Sequence, residues 1–191
     1  GDTGLDPLSQ DVLERLVHSS GDPSLVDLLH YSPGACDAGL KALQGGALIL
    51  TDTAMAAAAV RPMAARTAGN EVRCLLDWAP ARSPQGSTRS AAAMVRAWPE
   101  LIQAASNAGK PLPLVLIGSA PTALEQLLDQ LDAGAQAPSL VIGMPVGFVG
   151  VPESKRRLAQ TTLDQIRLDG TRGGAGLVAA AVNALLRQVA S

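Results

Sequence analysis

Only two histidines, His18 and His30, occur among the 191 residues, so few side chains can change charge near neutral pH. His18 ends an amphipathic segment, just before Ser19-Ser20-Gly21. A helix C-terminus carries partial negative charge, which favours a protonated imidazole and suits it to donating a proton. A plain capping histidine is the competing explanation. His30 precedes the turn Tyr31-Ser32-Pro33-Gly34 and reads as an exposed loop residue. Neither histidine has an acidic partner at ligand spacing, so no metal site is expected. Cys36 and Cys74 form no CxxC pair and read as reduced, buried thiols. The chain has no G-x-S-x-G elbow, no GxGxxG after its first strand and no P-loop lysine, which counts against hydrolase and nucleotide chemistry.

These residues must be held by the elements around them. Ser9 is placed to cap a helix through His18, with Val12, Leu13, Leu16 and Val17 on one face. A second helix runs from Ala35 to Gln44 and is closed by Gly45-Gly46. Ala47 to Thr51 is a buried strand, followed by an Ala-rich helix from Ala54 and a strand from Glu71 to Leu76. Thr88 is a candidate N-cap for a helix to Ala108, with a break or kink expected at Pro99. Beyond it, strands are predicted at Leu112–Ile117, Leu140–Ile142 and Gln165–Leu168. Helices are predicted from Pro121 to Leu131, near Pro152, and up to Val189. Apolar strands alternating with helices indicate a doubly wound α/β fold, a mostly parallel sheet with helices on both faces.

In such sheets ligands bind outside the carboxyl ends of the strands. Three loops there are rich in small residues: Gly118-Ser119-Ala120-Pro121, Gly143 to Gly150, and Thr171 to Gly176. They suit either close approach of a ligand to backbone amides or tight turns and close packing. Pattern alone does not choose between these.

The net charge of −2 excludes a general nucleic-acid binder. At 19.5 kDa, roughly 8,500 Å² of folded surface would replace about 28,000 Å² of unfolded chain, enough burial for one domain without a disulfide. Charged residues at 17% and a mean hydropathy of +0.19 point to a surface partly covered by another subunit. No apolar stretch is long enough to span a membrane, and Gly1-Asp2-Thr3-Gly4 has no signal-peptide character, so a cytoplasmic protein is expected. The lack of an initial methionine is read as a processed start, a fragment or a cloning scar.

Several strings together resemble the precorrin-8X methylmutase (precorrin isomerase) family of corrin-ring biosynthesis. They are Ser32-Pro33-Gly34-Ala35, Gly69-Asn70-Glu71-Val72, Ser87-Thr88-Arg89-Ser90-Ala91-Ala92-Ala93 and Ala120-Pro121-Thr122-Ala123-Leu124. The most specific is Gly143-Met144-Pro145-Val146-Gly147-Phe148-Val149-Gly150, followed by Glu153-Ser154-Lys155. The resemblance runs from Leu13 to Val189 and implies one precorrin isomerase-like domain over residues 1–191. It implies a methyl shift from carbon 11 to carbon 12 of precorrin-8X or cobalt-precorrin-8, with no redox cofactor, S-adenosylmethionine or protein metal. It also implies a homodimer, and tight product binding if product passes directly to the next enzyme. His18 takes the place of the family's proposed general acid.

The implied substrate carries acetate and propionate arms, so fixed cations and amide donors are expected around it. Arg15, one helical turn before His18, Arg89, Lys155 and Arg172 are candidates, each also explicable as a solvated charge. Thr88 and Ser90 offer hydroxyls, although capping explains Thr88 equally well, and Gly147 and Gly173 offer backbone in the small-residue loops. The chain also departs from the family pattern. It starts after a family N-terminal segment of about twenty residues expected at the pocket. Ser20 stands where a cysteine follows the histidine, Val60-Arg61-Pro62 replaces a Val-Thr-Arg pattern, Ser119 replaces an asparagine, and the last loop reads Gly173-Gly174-Ala175. These departures keep a second reading open, a tetrapyrrole-binding homologue without catalysis. A flavin or nucleotide binder is a distant third.

Overall fold

The computed structural model describes residues 3–189; Gly1 and Asp2 of the polar N-terminus lie outside the described residues, as do the last two. In chain order the elements are α1 (Pro7–Ser20), β1 (Leu29–Tyr31), α2 (Ala35–Gln44), β2 (Ile49–Thr51), α3 (Ala54–Arg66), β3 (Val72–Cys74), α4 (Arg89–Ala108), β4 (Leu114–Ile117), α5 (Pro121–Asp132), β5 (Leu140–Gly143), α6 (Val151–Ala159), β6 (Gln165–Leu168) and α7 (Ala175–Val189). They build a six-stranded sheet in the order β1-β6-β5-β4-β2-β3. All pairs are parallel except β1 with β6, where His30 faces Arg167. This is the doubly wound, mostly parallel α/β sheet expected from the sequence.

Alternation along the central strands feeds two cores. Leu114, Leu116, Leu140 and Ile142 pack with residues of α1, α2, α3 and α7 on one face. Val115, Ile117 and Val141 point the other way, to residues of α4, α5 and α6. Burial on both faces is why β4 and β5 read as unbroken apolar runs.

Three local expectations need correction. His30 is in a strand, not a loop: β1 is a three-residue antiparallel edge strand, too short to show alternation. There His30 Nε2 lies 3.1 Å from Asp169 Oδ2. The N-cap of α1 is Asp6 rather than Ser9; Asp6 Oδ1 accepts from the Leu8 and Ser9 amides at 3.0 Å each, while Ser9 lies buried inside the helix. Helix α4 runs through Pro99 without a break. Pro99 is on the exposed side, where water can serve the carbonyl of exposed Val95 that its missing N–H leaves unpaired. Thr88 does cap α4, its hydroxyl accepting from Ala91 N at 3.0 Å. Both cysteines are free and buried, and burial pushes the Cys36 thiol up to about 11.

Candidate active site

The connection from β3 to β4 crosses over β2, so the sheet's winding reverses between β2 and β4. The crevice outside the carboxyl ends of these strands is where such sheets take ligands. On one side Asp52 follows β2, 2% exposed. On the other is the loop Gly118-Ser119-Ala120 leading into α5. Asp52 spans the crevice, its carboxylate accepting from the amides of Gly118, Ser119 and Ala120 at 3.1, 2.7 and 2.7 Å. Burial pushes this carboxyl above its usual range, and the three amides pull it back.

The three small-residue loops meet beside this crevice. Gly147 N donates to Thr171 O and Gly174 N to Met144 O, each at 2.9 Å, and Val146 N reaches Gly118 O at 3.3 Å. A β-carbon on Gly118 would come within 2.8 Å of the Gly174 backbone. The glycines here serve contact between loops, and several of their amides are already committed to one another.

Lys155 braces the same region from beneath. It is 1% exposed, and its ammonium donates to the carbonyls of Gly170 and Arg172 at 2.8 and 2.6 Å. Burial lowers it to about 8, against the attraction of Asp169. Its charge therefore holds the loop backbone rather than facing open space. The Arg172 guanidinium pairs with Asp22 and donates to Ser24 Oγ at 3.1 Å, tying the last loop to the segment after α1.

His18 lies exposed in the last turn of α1, which ends at Gly21 in the left-handed conformation. Ser20 shapes this turn, its hydroxyl donating to Leu16 O at 2.8 Å and accepting from Asp22 N at 3.1 Å. Arg15 and His18 form one wall of a groove of about 350 Å³. Its floor is the α7 stripe Gly176, Ala179, Ala180, Asn183 and Arg187, and Ala59 of α3 stands opposite. The small side chains of Gly176, Ala179 and Ala180 leave room for the groove. Arg15 is only loosely engaged, 3.8 Å from Asp11. Asn183 Nδ2 donates to Ala59 O at 3.2 Å, one residue from the carbonyl that Pro62 leaves without a helical partner.

The remaining candidates sit apart from this groove. Thr88 Oγ1 meets Thr122 Oγ1 at 2.7 Å, joining the starts of α4 and α5. Arg89 donates to Pro80 O at 2.9 Å across the neck of the loop before α4, and Ser90 is half-buried in the first turn. The structure thus groups His18 with Arg15, and Gly147 and Gly173 with Lys155 and the backbone of Arg172. Sequence reasoning missed Asp52, Asn183 and Arg187. For Asp52 a signal existed: α5 begins Ala120-Pro121, with no capping side chain of its own. Among the described residues no group of three or more His, Cys, Asp or Glu could hold a metal ion, and no helix is long and apolar enough to cross a membrane.

Comparison with known proteins matches residues 1–188 to a family model described as precorrin-8X methylmutase. A precorrin-8X methylmutase of Pseudomonas aeruginosa is 44% identical over 176 residues, covering 90% of this chain and 80% of that protein. A cobalt-precorrin-8 methylmutase of Synechocystis is 33% identical over 189 residues, covering 92% and 82%. A solved structure of precorrin-8X methylmutase from Thermus thermophilus superposes with a TM-score of 0.86 at 40% identity, covering 100% of this chain and 90% of that one.

Proposed function

The chain belongs to the precorrin-8X methylmutase family and is an isomerase of corrin biosynthesis, and we propose that His18 is the acid that drives its methyl shift. The substrate is precorrin-8X or cobalt-precorrin-8, and the methyl group moves from carbon 11 to carbon 12 of the macrocycle. A proton placed on ring C by the His18 imidazolium draws electron density from the migrating centre and lowers the barrier. An isomerisation consumes no proton, so the same imidazole takes it back as product forms. A positioned acid of this kind is worth about 10²–10⁴-fold, or roughly 3–5 kcal/mol of barrier. Holding the ring in its reactive shape supplies more.

The observation that supports this reading is the position of His18, exposed at a helix C-terminus on the wall of the groove shared with Arg15 and Arg187. The guanidiniums suit the carboxylate arms of the substrate. Thr88, Arg89, Ser90 and Arg172 lie on the loops and helix starts at the carboxyl side of the sheet and serve the outer arms.

The working unit we propose is a homodimer. A groove of about 350 Å³ is small for a tetrapyrrole with its side arms. Met55, Phe148 and Val149 are 73%, 83% and 92% exposed on loops and a helix start at the carboxyl ends of the strands. A second copy would both cover them and enlarge the pocket.

The test is an absorption spectrum of the purified protein with metal-free precorrin-8X, followed in time, and then with the cobalt form. Conversion to the rearranged chromophore supports the reading. Binding of both forms without conversion favours the non-catalytic corrinoid binder.

A further inference from the structure

In a doubly wound sheet, the reversal of winding beside a helix N-terminus is the usual berth for a ligand's anionic group. Here that berth is filled from within the chain. Asp52 stands 66 to 68 residues before its partners, yet it takes the N–H groups of Gly118, Ser119 and Ala120, the donors an incoming anion would use. Of these donors only Ala120 N belongs to the start of α5, where Ala120 supplies no capping side chain and Pro121 has no N–H. A carboxylate at 2% exposure is costly to bury unless fully hydrogen-bonded, and both of its oxygens are used.

What Asp52 holds reaches further than one helix start. The carbonyl of Gly118 accepts from Val146, and Gly118 lies against the Gly174 backbone, so the loop after β4 supports the loops after β5 and β6. In the first turn of α5, Thr122 meets Thr88 at the start of α4. The loops after β4, β5 and β6 and the starts of α4 and α5 are thereby tied to the Gly118–Ala120 amides.

We propose that Asp52 is a positioning residue, a built-in anion whose carboxylate fixes the Gly118–Ala120 amides and so sets the registry of the loops around the macrocycle. It touches no substrate. It acts through the backbone, and it closes this crevice to phosphate-bearing ligands. The activity arm of the test rests on the isomerase reading; the stability arm does not.

Asp52→Ala leaves space for a small carboxylate, so formate is the probe. Well below its melting temperature, the folded variant is expected to lose roughly 10–100-fold in kcat with KM little changed. Formate should restore kcat saturably and raise the melting temperature of the variant but not of the wild type, whereas chloride at equal ionic strength should do neither. An unchanged kcat beside a lowered melting temperature would reduce Asp52 to a helix cap and overturn the proposal. So would a loss of activity and stability on which formate has no effect. If Asp52→Ala does not fold, Asp52→Asn keeps the volume and puts an N–H₂ against the amides; the same fall in kcat is expected, and wild-type kcat in that folded variant overturns the proposal. If the wild type turns nothing over, the isomerase reading fails instead, and the melting-temperature response to formate still decides the role of Asp52.

Discussion

A β-carbon on Gly173 would fall 1.9 Å from the carbonyl oxygen of Met144. That same oxygen accepts from Gly174 N at 2.9 Å, so the loops after β5 and β6 touch backbone to backbone with no room for a side chain. Gly173→Ala must part the two loops and break that bond. The expected cost is about 2–4 kcal/mol, read as a lowered urea midpoint, with loss of turnover. Gly176→Ala is the contrast: nothing lies within 4 Å of a β-carbon there, and a helical position should tolerate it or gain up to about 1 kcal/mol. Equal shifts of the urea midpoint by the two substitutions would contradict this picture.

Asp6 caps α1, the helix that carries His18. Its carboxylate accepts from the Leu8 and Ser9 amides and from Ser9 Oγ at 2.6 Å, and these bonds hold it below the usual aspartate range. Asp6→Ala should cost about 1–2 kcal/mol. Because the folded-state value is depressed, the contribution is present above the ordinary aspartate range near pH 4 and is lost as pH falls through the lower folded value. The stability difference between wild type and variant should therefore shrink in acid. A difference independent of pH would remove the charge from the account.

Lys155 carries the opposite sign. Its folded value of about 8 lies below its ordinary 10.5, so the unfolded chain binds more protons between the two, and stability should rise with pH across that window. Relative to Lys155→Met, the wild type should gain on the order of 2–3 kcal/mol from pH 8 to 10.5 in denaturant titrations. A flat difference would mean that the ammonium is not desolvated.

Much of this architecture is legible in the amino-acid sequence. Helix α2 follows from Gly34 and Gly45-Gly46 at its ends, and β4 and β5 from uninterrupted apolar runs that only a sheet covered on both faces explains. Helical spacing puts Arg15 and His18 on one face, and they share a groove wall. What spacing cannot show is where distant segments meet. The partners of Asp52 are remote in sequence, so its bonds to them follow from strand order alone. Lys155 looks like a surface cation until β6 brings Gly170 and Arg172 over it. The strand β1 is hidden because three residues are too few to display a period.

Thr88 separates capping from recognition. Its hydroxyl accepts from Ala91 N and meets Thr122, so Thr88→Ser should keep stability, and Thr88→Val should cost about 1 kcal/mol. Because the hydroxyl also serves the substrate in this account, KM should rise in the folded Val variant and not in the Ser variant. A kcat/KM near wild type in the Val variant would leave Thr88 a cap alone.

The central claim is that the imidazole of His18 supplies the proton for methyl migration. The most direct measurement is a single-turnover absorption experiment on His18→Ala, run beside a titration of substrate binding on the same protein. The account predicts binding close to wild type and conversion slowed by roughly 10²–10⁴-fold. Conversion at the wild-type rate with binding intact would contradict it and return His18 to the role of a helix-end residue.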